Sequence, residues 1–237
     1  MPRRSGRSPG KGGVRRAKGT APDAAREDGA RTRLDIDERR QQLVEIGTVL
    51  FAKRPYDEVW VEEIAAAAGV SRGLLYHYFP TKRDFFVEVV RAQFEHVAQL
   101  TVPDTSKPAL DGLRDTLDAY IRYVEENAQG YISVHRAGVG GDAEIRALLA
   151  DSYARHVDRI VDRLTGGGPP PPVLRVAIRG WLAFTIGTLI EWIENPTIDR
   201  DELLELLVQA MKGCVTAALE VDPSMDLPGI REQEAAS

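Results

Sequence analysis

Residues 61 to 82 read VEEIAAAAGVSRGLLYHYFPTK: a short apolar helix, a Gly-Val-Ser turn, and a second short helix carrying Arg72, Tyr76, His77 and Tyr78. Ile64, Ala65 and Ala68 recur at helical intervals, and alanine at 65 to 68 lets a second helix cross closely. Gly69 ends the first helix because glycine takes a positive φ without a Cβ clash. Ser71 is a good N-cap for the next helix, and Val70 and Leu75 can plug the angle between the two. The pattern predicts a helix-turn-helix, although a hairpin inside a larger bundle could use the same residues. The outer face of the second helix favours nucleic acid, since Arg72, Tyr76 and His77 cannot all be buried and all can reach phosphate oxygens or base edges. Just beyond, Thr81-Lys82-Arg83-Asp84 predicts a capping box that leaves Lys82 beside a positive, phosphate-attracting helix end.

Val61 to Phe86, with GVSRGLLYHYFPTKRDFF at its centre, resembles the DNA-binding region of the TetR family of bacterial transcriptional regulators. The similarity includes the preceding helix, where Leu43, Ile46, Gly47, Leu50 and Phe51 form one stripe, and the loop through Pro55 and Tyr56. The Gly69 turn, Tyr76, the pair Tyr78-Phe79 and Lys82 carry the family signature. The resemblance implies that Tyr76 and Lys82 contact phosphates and that Ser71, Arg72, Gly73 and His77 lie nearest the major groove. Leu74 departs from the family, which often has a small hydroxyl residue there; an apolar contact to a thymine methyl could replace the missing hydrogen bond.

At 237 residues and 43% hydrophobic content, the chain has ample material for a packed core in one or two domains. The single cysteine, Cys214, excludes an internal disulfide and fits a reducing, cytoplasmic compartment. The net charge of −5 hides a division, for residues 1 to 33 carry +7 and the rest −12. That Gly-, Ser-, Pro- and Arg-rich segment has no apolar periodicity and is expected to be a disordered basic arm that aids DNA binding. No apolar stretch follows Arg3-Arg4 to make an export signal, and Gly6, Gly10 and Lys11 have the wrong spacing for a phosphate loop. No cofactor is implied.

After the expected DNA-binding domain at residues 34 to 84, the chain reads as an all-α effector-binding and dimerisation domain to residue 221, followed by a frayed tail at 222 to 237. Stripes begin at Val87, Leu110 and Ile145, a short segment covers Tyr131 to Ala137, and Gly166 to Pro172 is a linker. The helices at 173–194 and 199–219 are the most apolar. The first is long enough to weigh as a membrane span, but Arg175, Arg179 and Glu191 are costly in hydrocarbon. By resemblance these two helices form the homodimer interface; alternatively they complete the monomer core. A dimer also suits DNA reading, since two recognition helices about 34 Å apart read a palindromic operator.

In regulators of this kind the helical domain encloses a small-molecule effector. Tyr120, Tyr123, Tyr131, His135, Tyr153, Trp181 and Phe184 are the candidate lining residues, for a largely apolar ligand that releases a repressor from DNA. Repression comes from the resemblance alone. An architectural DNA-binding protein without an effector is the alternative. A helical-bundle enzyme is disfavoured, because His77, His96, His135 and His156 are dispersed, no pair has metal-ligand spacing, and Ser71 lacks a nucleophile elbow. No catalytic or metal-binding residue is proposed.

Overall fold

The computed structural model describes residues 23–230, with side chains from Ile36 onward. The chain divides into two compact units between Arg39 and Arg40, and all the packing described here is internal to the second. The described residues form nine α-helices and no strand: α1 (Asp23–Lys53), α2 (Val61–Ala67), α3 (Arg72–Tyr78), α4 (Lys82–Leu100), α5 (Ala109–Glu126), α6 (Ala128–Val139), α7 (Ala143–Thr165), α8 (Pro172–Glu194) and α9 (Arg200–Val221).

Local chemistry sets the helix starts. The Ser71 hydroxyl accepts from Leu74 N at 3.1 Å. Thr81 Oγ1 accepts from Asp84 N at 3.0 Å while Asp84 Oδ2 accepts from Thr81 N at 3.1 Å, which completes the predicted capping box of α4. Asp142 caps α7 through Glu144 N and Ile145 N, and Asp199 and Glu202 cap α9 reciprocally.

Two apolar clusters form the core. Leu43, Phe51, Ile64, Leu75, Phe79, Phe85, Phe86 and Val89 join α1 to α4. Ile121, Val124, Leu174, Ile178, Trp181, Leu203, Leu207 and Met211 join α5, α8 and α9. Gly47 is what lets α1 meet α4, because a Cβ there would lie 2.5 Å from the Phe85 ring and 2.7 Å from Val89.

Three expectations need correction. α1 begins at Asp23, so residues 23–33 are helical and not part of an unstructured arm; three Ala and three Arg among them favour the helix, against Gly29 and Thr32. The rest of the arm, residues 1–22, lies outside the described residues. The C-terminal segment is not frayed from 222 onward: Leu227 is buried, and Met225 and Ile230 pack on the bundle core. Polar and proline residues between these three hid their apolar content. Finally, the short segment after Gly130 is part of a 12-residue helix, α6, separated from α5 only by Asn127.

Candidate nucleic-acid interface and ligand cavity

Gly69, at φ +62°, turns the chain between α2 and α3. Leu75, buried, faces inward from α3 into the cluster of Ile64, Phe79 and Phe85. That anchoring leaves Ser71, Arg72, Gly73, Leu74 and His77 exposed and Tyr76 half-buried. Leu74 is 37% exposed, so an apolar group stands at the surface of α3. Arg72 pairs with Glu62 at 2.7 Å and lies over the Tyr76 ring at 5.4 Å, an arrangement that holds the guanidinium before any DNA arrives. Lys82 Nζ donates to Tyr56 O at 2.6 Å and sits 4.3 Å from the Tyr56 ring centroid; partial burial lowers its pKa below the ordinary lysine value. Trp60, which the sequence reading passed over, is 64% exposed at the start of α2.

The bundle holds a partly open cavity of about 390 Å³, walled by α4 to α9 and by Ile230. Tyr120, Tyr123, Tyr131, His135, Tyr153 and Trp181 line it as expected. Phe184 does not. It lies three residues beyond Trp181 and so about 60° round the helix, on the outer surface, 45% exposed. The sequence reading also missed Gln93, Thr101, Ser152, His156, Arg159, Arg163 and Thr185. A signal for several was present, since Ser152, His156, Arg159 and Arg163 recur at helical spacing on α7.

Burial shapes the chemistry of these walls. It pushes the Tyr120 phenol up to about 12 and raises Tyr123, Tyr131 and Tyr153 as well, so all four are neutral hydrogen-bonding groups. It holds the His135 and His156 imidazoles below the ordinary histidine value. His135 Nδ1 donates to Tyr131 O at 2.8 Å, which leaves Nε2 as a bare acceptor. His135 Nε2 and Thr185 Oγ1 are buried without hydrogen-bond partners among the described residues. Buried polar atoms are seldom left so, and both residues line the cavity. Among the described residues no cluster of His, Cys, Asp and Glu could hold a metal ion.

Helix α4 touches both regions. Its first turn carries Lys82 beside α3, and its later turns present Val90, Gln93, Phe94 and Val97 to the cavity. Arg83 in that first turn also grips the α7 cap, with Nε and Nη2 each 2.8 Å from an Asp142 oxygen.

Residues 43–89 match the family profile described as bacterial regulatory proteins, tetR family, and residues 110–213 match the tetracyclin repressor-like C-terminal domain. The chain is similar to the HTH-type transcriptional activator FasR of Mycolicibacterium smegmatis, 26% identical over 76% of this chain and 84% of that one. It is also similar to the HTH-type transcriptional repressor KstR of Rhodococcus jostii, 25% identical over 74% of this chain and 84% of that one. A solved structure, a tetR-family transcriptional regulator from Streptomyces coelicolor, superposes with a TM-score of 0.77 at 30% identity, covering 84% of this chain and 89% of that one.

Proposed function

The chain belongs to the TetR family of bacterial transcriptional regulators, and from that premise we propose that it is a homodimeric repressor that reads a palindromic operator in the cytoplasm and is released by a small ligand held in the bundle cavity. It is a DNA-binding regulator and not an enzyme, as its relatives are. Helix α4 is the observation that carries the ligand response. One rigid element both sets Lys82 beside the reading helix and walls the cavity, so a ligand that shifts it shifts the DNA-reading end.

At the interface, Ser71, Arg72, Gly73, Leu74 and His77 approach the major groove while Tyr76 and Lys82 take phosphates. Lys82 can give a phosphate the donors it does not spend on Tyr56. Arg72 must leave or share Glu62 to reach a base, which makes its contribution a matter of partner choice more than of net charge.

Support for the dimer comes from the outer face of α8 and α9. α8 is the one described helix long and apolar enough to cross a membrane. Its inner face, Leu174, Ile178, Trp181 and Leu189, is buried in the bundle. Its outer face carries Val176 (74% exposed), Phe184, Gly180, Ala183 and Gly187, and α9 adds Leu206, Gly213 and Ala217. Small residues at these positions allow close helix approach, and a second copy of the same surface would cover the apolar ones.

Selection of bound sequences from a random DNA pool at physiological salt tests the whole reading. A palindrome with half-sites one helical turn apart, or a multiple of it, is expected. Recovery of no motif would indicate an architectural protein instead. With an operator in hand, Arg72→Ala should change base preference, while Lys82→Ala should weaken all sequences alike and reduce the salt slope by about one contact. Deleting residues 2 to 31 should lower affinity and flatten the salt dependence, and equal behaviour of the full chain and the deletion would remove the arm from the interface.

A further inference from the structure

Among the described residues, the cavity walls include no aspartate or glutamate, yet they include Arg159, Arg163 and, at an exposed position, Lys212. Arg159 and Arg163 stand one turn apart on the same face of α7. Arg159 Nη1 donates to Ala98 O at 3.1 Å and to Thr101 O at 2.8 Å, and Arg163 Nη2 donates to Lys107 O at 2.5 Å. Their partners are backbone carbonyls and, for Arg159, the Thr101 hydroxyl at 3.4 Å; neither forms an ion pair among the described residues. Arg114, Arg122, Arg136, Arg155, Arg175 and Arg200 of the same bundle reach carboxylates; Arg146 and Arg179 form no ion pair among the described residues either, but they do not line the cavity.

Carbonyl dipoles satisfy the N–H groups of a guanidinium but not its charge, and a carboxylate makes hydrogen bonds about twice as strong. Ten residues back along α7, about 15 Å away at the helical rise, Tyr153 marks the other end of the wall, where phenols and imidazole supply neutral surroundings. The cavity therefore has a cationic end and an uncharged end.

Building on the reading of this cavity as the effector site, we propose that its ligand is an amphipathic organic anion: a carboxylate held by Arg159 and Arg163, with a hydrocarbon body extending toward Tyr153 and Tyr131. The carboxylate competes with the carbonyls of Ala98 and Thr101 for Arg159. These carbonyls close α4, so binding loosens the end of the helix whose first turn carries Lys82. Ligand charge is thereby coupled to DNA release.

The test titrates the full-length protein with decanoate, decanol and decylammonium, three probes with matched tails, reading tryptophan fluorescence (Trp181 lines the cavity) and release of the selected operator. Decanoate should bind about tenfold or more tightly than either of the others and should alone release DNA. In Arg159→Gln and Arg163→Gln the ratio of decanoate to decanol affinity should fall toward one, and Arg163→Lys should recover part of it. Equal or tighter binding of decanol or decylammonium to the unaltered protein overturns the anion assignment while leaving the cavity as an effector site. No binding by any of the three overturns both.

Discussion

At the DNA-reading end aromatic rings fill space: Phe51 lies 5.0 Å from Phe86, Phe79 lies 4.9 Å from Phe85, and Tyr56 lies 4.8 Å from Phe86. In the bundle, Tyr120 and Tyr131 stand 6.3 Å apart at the wall of a 390 Å³ cavity, beside a buried imidazole nitrogen and a buried hydroxyl that have no partner among the described residues. The first region is packed to hold one geometry, which fixes where α3 presents its exposed face. The second leaves packing and hydrogen bonding incomplete, so that a ligand can complete them. Substitutions should therefore act with different sign and size in the two regions.

The largest effect is expected from Phe85→Ala, which removes a ring touching both Phe51 and Phe79. It should cost about 3 to 5 kcal/mol in urea unfolding and abolish operator binding at ordinary temperature. A loss below about 1 kcal/mol would mean that this core is not tightly packed. Next is Gly47→Ala, whose methyl must displace the Phe85 ring or Val89 and should destabilise by about 1 to 3 kcal/mol although alanine is the better helix former.

In the bundle the sign should reverse. Thr185→Val replaces an unpartnered buried hydroxyl with a methyl of similar shape and should raise stability by about 1 kcal/mol; a lower melting temperature would show that the hydroxyl has a role in the ligand-free protein. Smallest is the response to acid. The folded-state pKa values of His135 and His156 lie below the ordinary 6.5, so the unfolded chain binds protons first. Their contribution is fully present above about pH 7 and is lost as pH falls through 6.5 toward the folded values. Melts at about pH 7.5 and 5.5 should differ less in the double variant His135→Gln, His156→Gln than in the unaltered protein.

The reading head was legible in the sequence because its signals are local: a glycine turn, a serine cap, a capping box and a buried leucine within 25 residues of one another. The cavity was legible only in outline. Six of its aromatic and imidazole walls followed from helical spacing, but Phe184 and Trp181 differ by a rotation that spacing alone leaves open until the partner helices are known. Arg159 and Arg163 read as ordinary solvated charges until the fold brings Arg159 against the end of α4 and Arg163 against Lys107 in the loop that follows, more than fifty residues upstream. Likewise Leu227 and Ile230 gain their meaning only from the bundle they dock on.

That docked segment bears on how the protein should be handled at the bench. Ile230 forms part of the cavity wall, so a variant cut back before this segment loses wall as well as tail. Dose-response curves collected with such a truncation would report a reshaped cavity, and any ligand screen should keep the chain through Ile230.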